Sequence, residues 1–528
     1  MRRKIWLFLL IGFSSVFSQT HLSASIPSEA NRLWKQENYR KAALILDKYL
    51  KKHPRSFQAL LLRGKIALEE KDLVVAHEIF EKLVKWYPHS HEGYYYLGKA
   101  LSRLRKLKKA FRALEIARSL RPGWHKPYIE LGWLYLAMRK IDIALKTALY
   151  AKKLSSSDSA VFSLLGYIYF RKKKISKCRM AFQKALKLDP LNLPAHWYLG
   201  TGLGYPNTPE KLPKNQRDWK KLQEGIQYLE KGEFQKGISI FSKLVKKYPR
   251  NSTCHFLLAE TLSRKYFSKE RVQSIPEFKM LQAIYFSRPP KKKVLASFFS
   301  GYSNLWDKEK RVLAHLSYPF EPHIRRLASI GYIHYLLPLD KRLGDVPYLS
   351  IFKDRYSQDG RRYGDLRGLT YEKAVSGKET LWNAYQFGYN TVAHELAHQV
   401  HMYSFSRKKQ QRIESLYRKA LREKRALDYY SATSVYEYFA QGYEAFISRF
   451  KRPGLGFTAR HTRKELLEKD PQLYEFLKKV TLPDFQPLEL FLIYFFMGRI
   501  YQELKEKEKA KSAYAMAFLI GVGLLDRD

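Results

Sequence analysis

The sequence is poor in whatever ties a chain together covalently. It has two cysteines in 528 residues, Cys178 and Cys254, which excludes a disulfide framework. It is short of acid: 49 Asp and Glu stand against 97 Lys and Arg, a formal net charge of +48. It lacks hydrophobic runs long enough to cross a bilayer. The apolar stretch at 488–497 is too short, so no transmembrane span is expected. It carries no nucleic-acid-binding motif, and no nucleic acid is expected as a partner. Basic runs at 106–109, 172–174, 291–293 and 407–409 are scattered along the chain. Two readings of the charge stand: electrostatic attraction to anionic envelope components or an acidic protein, or a solvated surface that serves solubility alone.

The chain opens with Met1, Arg2, Arg3 and Lys4, then an apolar core over 5–17, with Val16, Phe17 and Ser18 ahead of Gln19. This pattern predicts a signal peptide over 1–18, too short to be a membrane span. No cysteine lies near the expected cut, which excludes anchoring at a lipidated cysteine. The expected location is periplasmic or secreted, in a bacterium.

What the chain does have is a period. Glycine recurs every 34 residues at 64, 98, 132, 166 and 200, and a small residue at Ala42, Ala76, Ala110, Ala144 and Cys178. Proline falls at 54, 88, 122 and 190, with Ser156 in the remaining slot. This is the tetratricopeptide (TPR) pattern. The small positions mark where two helices approach closely, large residues such as Leu97, Phe111 and Leu114 fill the space between repeats, and proline ends the second helix. Cys178 takes a small buried slot and is read as a core residue, with Cys254 about two repeats away. Five repeats are expected over 23–192. A sixth begins at 193 and fails in a proline-rich loop or linker over 201–217. The pattern restarts over 218–251 and degrades over 252–285. One more repeat-like segment, at 491–524, is either a cap packed elsewhere or a helical hairpin closing the preceding domain.

The other concentrated signal is His394-Glu-Leu-Ala-His398, followed 39 residues later by Glu437. Histidines four apart share one helix face and can grip one metal ion, while Glu395 lies one step round, within reach of a water there. Val392, Leu396, Ala397 and Val400 fall on the side away from the histidines. Glu437, Gln441 and Glu444 share one face of a second helix. A glutamate from that helix completes a three-ligand site with an open fourth position, the arrangement of a zinc hydrolase. His401, seven after His394, is read as a supporting or surface residue. Glu444 is either the alternative third ligand or a hydrogen-bond partner of a ligating histidine.

These two segments resemble the catalytic domain of anthrax lethal-factor-like metallopeptidases, a branch of the glutamate-zincins. In that family the third ligand opens a Glu-aromatic-Phe-Ala-Glu segment. The match here is Glu437, Tyr438, Phe439 and Ala440, with Gln441 in place of the family's second glutamate. The family's tyrosine seven residues before the ligand corresponds to Tyr430, and Ser434 stands where the family often has Asn. The resemblance spans 290–485 at most and is sharp only over 390–401 and 430–446. It implies one zinc per chain held by His394, His398 and Glu437, with Glu395 as general acid–base and Tyr430 as donor to the developing oxyanion. Short runs at 345–353 and 366–371 read as strands, and 366–375 as the edge strand that pairs with an extended substrate.

The expected fold is therefore mainly α: a TPR solenoid over 23–200, a linker over 201–217, further repeats over 218–285, an α+β zincin-like metallopeptidase domain over 290–487, and the final hairpin at 491–524. Two functions follow. One is an exported zinc endopeptidase acting on a protein or peptide substrate, with the concave face of the repeats recruiting that substrate or a protein partner. The other is an interaction scaffold with an inactive peptidase-like domain.

Overall fold

The computed structural model describes residues 27–201, 216–268, 282–356, 362–448, 461–482 and 494–517, apart from 71, 105, 139, 283, 287, 372, 388–390, 429 and several positions after 495. The expected signal peptide at 1–18 and most of the linker at 201–217 lie outside the described residues. Met1–Pro122 and Gly123–Asp528 form two compact units.

In the first unit the helices come in pairs: Ser28–Lys35 with Tyr39–Lys52, Phe57–Glu70 with Leu73–Trp86, and His91–Arg103 with Leu107–Leu120. The second unit continues with His125–Ala137 and Ile141–Leu154, Ser159–Arg171 and Ile175–Leu188, and the short helix Leu193–Gly200. Polar residues start several of these helices. Asp72, Ser90, Asp158 and Asn192 each accept a hydrogen bond from a backbone N–H in the first turn.

The glycine period has a steric cause. A Cβ at Gly64, Gly98, Gly166, Gly225 or Gly498 would lie 2.5–2.7 Å from Phe80, Leu114, Phe182, Phe241 or Tyr514, in each case the residue 16 positions later. The large side chain on the second helix of each pair thus fills a hole that only glycine leaves on the first.

After the break, Gln216–Lys231, Phe234–Lys247 and Ser252–Phe267 follow. The last crosses Leu193–Gly200 so closely that a Cβ at Gly200 would lie 2.5 Å from the Phe256 nitrogen. These three helices share a core with the following domain: Leu222, Ile226, Phe241 and Phe256 belong to the same buried cluster as Leu339 and Trp382. Polar contacts add to it. Lys378 pairs with Glu230 at 2.6 Å, Ser252 Oγ donates to Asp365 at 3.1 Å, and Arg342 donates to Thr253 Oγ1 and Ser252 O at 3.2 and 3.0 Å. Ile284 and Tyr285 already belong to the core of the C-terminal domain, so the basic segment 288–293 is not a clean boundary between repeats and domain.

That domain carries a four-stranded sheet: β1 (Phe299–Ser300), β2 (His334–Leu337), β3 (Gly368–Thr370) and β4 (Ala374–Gly377), in the order β1-β2-β4-β3. β2 runs parallel to β1 and β4, while β3 pairs antiparallel to β4, with Leu369 opposite Val375. β1 and β3 are the edges of this sheet among the described residues, and β3 lies within the segment read as an edge from the sequence. The run at 345–353 is not a strand. Pro347–Phe352 is a 3-10 helix, started by a proline that cannot donate to a ladder. Against the sheet and one another pack the helices Lys292–Phe298, Asp307–Ser317, Glu321–Ser329, Thr380–Phe387, Thr391–Gln399, Arg407–Arg422, Val435–Ile447, Arg463–Lys469 and Pro471–Val480. Met497, ahead of the Gly498–Tyr514 pair, packs on this same core.

Two outcomes are expected. Gly166→Ala should destabilise the second unit by roughly 1–3 kcal/mol, because Phe182 is fully buried and stacked on Tyr198 and has nowhere to move. Helix propensity alone favours alanine by about 1 kcal/mol, so the sign of the change in a denaturation midpoint decides. A chain starting at residue 286 lacks the partners of Leu339, Trp382 and Arg342. It should fail to give a cooperative melt, whereas one starting at 190 should give one.

Candidate metal centre

The helix Thr391–Gln399 lies beneath the sheet with Val392, Leu396 and Ala397 fully buried. Its histidines and Glu395 sit on the other side, each 8 % exposed. Opposite runs Val435–Ile447, which starts at Ser434, whose hydroxyl accepts from the Glu437 N–H at 3.1 Å.

The two helices bring His394, His398 and Glu437 together. His394 Nε2 is 3.2 Å from His398 Nε2 and 3.0 Å from Glu437 Oε2, and His398 Nε2 is 3.8 Å from Glu437 Oε1. One donor atom from each lies within 4.8 Å of the others. An ion with tetrahedral bonds of about 2.0–2.1 Å holds its ligand atoms about 3.3 Å apart. The donor set and its spacing fit such an ion.

The groups of the cluster set one another's charge. Burial opposes a charged imidazole at His394, but hydrogen bonds to Glu437 and Glu444 prevail and raise it to about 10. Burial likewise opposes charge on Glu437, yet the bond from His394 holds it down at about 2. His398 is lowered to about 3, first by burial and then by the charge on His394. With the chain's own groups alone, one proton on His394 supplies the positive charge that the carboxylates face. Glu395 is raised to about 7, chiefly by burial. Its Oε2 lies 2.8 Å from the Thr370 hydroxyl on β3.

Tyr430, in the turn before the second helix, donates from its hydroxyl to Glu437 Oε1 at 3.2 Å. Glu444 Oε2 lies 3.5 Å from His394 Nδ1, the nitrogen turned away from the cluster, so it stands behind the histidine. His401 is not on the helix surface. It falls in a π-helical turn, Val400–Ser404, buried against Tyr436 and Phe439 and apart from the three-residue cluster. Gln441 turns from the cluster toward Asp428.

Sequence reasoning missed Thr370 and Gly368. A Cβ at Gly368 would lie 3.1 Å from Glu395 Oε1, so the edge strand crosses directly over the glutamate. The only signal was their place in the candidate edge segment. It also missed His334 on β2, which bonds Gln399 Oε1 at 3.1 Å and Ser376 Oγ at 2.9 Å and so ties the helix to the sheet.

Sequence profiles of the tetratricopeptide repeat match residues 28–89, 160–190, 222–251 and 492–518. These segments are tetratricopeptide repeats. Among solved structures, a thermophilic TPR protein of Thermus thermophilus matches with 21% identity over 32% of this chain and 92% of that one, at a TM-score of 0.30. YrrB, a TPR protein with an unusual peptide-binding site, matches with 21% identity over 33% and 91%, at 0.27. The Pseudomonas aeruginosa protein pilF matches with 16% identity over 43% and 92%, at 0.30. No curated protein matches the chain. No described helix is long and apolar enough to cross a membrane.

Two histidines around the site give a pH prediction. Burial lowers His334 to about 3, and lowers His323, which bonds Ser404 Oγ, to about 4. Unfolded histidines titrate near 6.5. A depressed folded pKa means that unfolding takes up the proton. The stability is therefore fully present above about pH 6.5 and lost as pH falls toward 4. The melting temperature should drop between pH 7 and 5, and His334→Gln should flatten part of that slope. A flat profile in the parent protein would show that these groups are not buried neutral.

Proposed function

We propose that the chain is an exported zinc-dependent endopeptidase whose repeats recruit a protein substrate or partner. The observation that carries this is the convergence of His394, His398 and Glu437 beside a buried Glu395 that lies under an edge strand. When bound, zinc supplies a Lewis acid and a water of lowered pKa. His394 and His398 would present Nε2 to it and Glu437 its carboxylate, with Glu444 steadying His394 from behind. Glu395, raised toward neutrality and held by Thr370, is suited to take a proton from the attacking water and to release it to the leaving amine. The Tyr430 hydroxyl is positioned to turn from Glu437 toward the oxygen on which charge develops. β3 pairs with β4 on one side, and among the described residues no strand pairs with its other side, which leaves backbone groups to align an extended peptide.

The repeats supply the second half of the reading. TPR repeats bind peptide or protein partners, and a docked substrate would present its cleavage site at high local concentration. The same repeats also support the rival reading, an interaction scaffold with an inactive peptidase-like domain. Glu395 separates the two, because binding a partner does not require it.

The test is metal analysis beside a peptide-library assay. The protein should hold about one zinc per chain. His394→Ala and His398→Ala should lose it and Glu437→Ala weaken it strongly, while His401→Ala keeps it. Glu395→Gln should keep zinc and fold but abolish cleavage, since an amide cannot accept the proton. Tyr430→Phe should lower kcat by roughly 10- to 1,000-fold with a smaller change in KM. Zinc-loaded protein that cleaves no peptide between pH 5 and 9 would favour the scaffold.

A further inference from the structure

Tyr430 owes its place to a residue that no motif singles out. Asp428 is 5 % exposed, and its Oδ1 accepts from the backbone N–H groups of both Tyr430 and Ser431 at 2.8 Å. A side-chain carboxylate that bonds the backbone two and three residues on fixes a turn as a backbone carbonyl would. Ser431 closes the turn: its Oγ accepts from the Asp428 N–H at 2.9 Å and donates to the Asp428 carbonyl at 3.0 Å. Thr433 holds the other side, with its N–H and hydroxyl 3.0 and 2.6 Å from the Tyr430 carbonyl. Both backbone groups of Tyr430 are thus pinned, and its ring reaches across to Glu437.

The Asp428 carboxylate has a second set of neighbours. Gln441, one helical turn beyond Glu437, ends 3.1 Å from both Oδ1 and Oδ2, and since both are acceptors its amide is assigned with the nitrogen toward them, donating to each. His461 Nε2 lies 3.5 Å from Oδ2. A carboxylate at 441 would set two buried acceptors of like charge about 3 Å apart, which ordinary pH does not permit without a proton between them. An amide is neutral, donates, and has nearly the same shape.

We propose that Asp428 and Gln441 form one hydrogen-bonded unit that aims Tyr430 at the metal-side carboxylate, with Asp428 a positioning residue that acts through Tyr430. Residue 441 is an amide because Asp428 faces it. The kinetic half rests on the peptidase reading above; the pairing half does not. In an Asp428→Asn/Gln441→Glu exchange, the Asn oxygen still caps the turn and its nitrogen donates to the new carboxylate.

The test uses the full chain, with melting temperature, zinc affinity by chelator competition, and kcat and KM on a cleaved library peptide. Gln441→Glu should lower the melting temperature, and Asp428→Asn/Gln441→Glu should restore most of it. Asp428→Ala should reduce kcat about 10- to 100-fold with KM little changed, as expected for a group that orients another. Combined with Tyr430→Phe it should cost no more than the worse single change, in both kcat and zinc affinity. A harmless Gln441→Glu, or an exchange that rescues nothing, overturns the pair. Additive losses for Asp428→Ala and Tyr430→Phe overturn the positioning role. A wild type that cleaves nothing sinks the peptidase reading instead, while the melting cycle still decides on the pair.

Discussion

One buried guanidinium holds the sheet to the repeats. Arg367 sits immediately before β3. Its Nε and Nη2 bond Glu379 at 2.7 and 2.6 Å, and further bonds reach the Leu337 and Pro338 carbonyls at 3.1 and 2.9 Å. Its own carbonyl accepts from the Gly377 N–H at 2.7 Å. The ends of β2, β3 and β4 therefore meet at one residue. Burying a guanidinium is tolerable only when its donors are answered. Its carbon lies 4.7 Å from the Phe256 ring centroid, on the last repeat helix before the domain, and Arg342 stands 4.4 Å from the same ring. Packing on that helix thus fixes where β3 begins, and three residues on Thr370 meets Glu395.

The histidine helix is constrained at its far end as well. After Gln399 the helix widens into a π-helical turn, which leaves carbonyls without their regular partners. Gln410 answers two of them, donating to His401 O at 3.0 Å and Met402 O at 3.2 Å. Gln399 itself donates to the Ile333 carbonyl at 3.0 Å. The two histidines accordingly project from a helix tied to the sheet on one side and to a following helix on the other. Such bracing lets a cluster of charged and polar groups remain in place against its own burial cost.

Local periodicity was legible in the sequence because the physics behind it is local. Gly64 and Phe80 are 16 residues apart on adjoining helices, and the same hole and knob recur wherever the pattern recurs. The spacing of His394 and His398 needed only the helix pitch. The rest depended on partners far along the chain. Thr370 meets Glu395, Arg367 meets Glu379 and Phe256, and His334 meets Gln399, and no spacing rule ties any of these pairs. The run at 345–353 misled because its aromatic and β-branched residues suit a strand, whereas Pro347 decides for a 3-10 turn. Likewise, repeats were expected to end at 285 and the next domain to begin at 290, yet Tyr285 and Val294 share one core.

The seams of the repeat array also bear on how such a chain can change length. In most described seams the hole and its knob belong to the same repeat, so a whole unit could be duplicated or deleted and carry its own fit with it. Gly132 breaks that rule. Position 148 is alanine, and the hole is filled instead by Leu164 from the next repeat, whose Cδ2 would lie 2.6 Å from an added Cβ. These two repeats are interlocked, and removing the second alone would leave an empty socket in the first. At this seam the two repeats are matched to each other, so copying or losing one without the other would forfeit the fit that the self-contained seams carry with them.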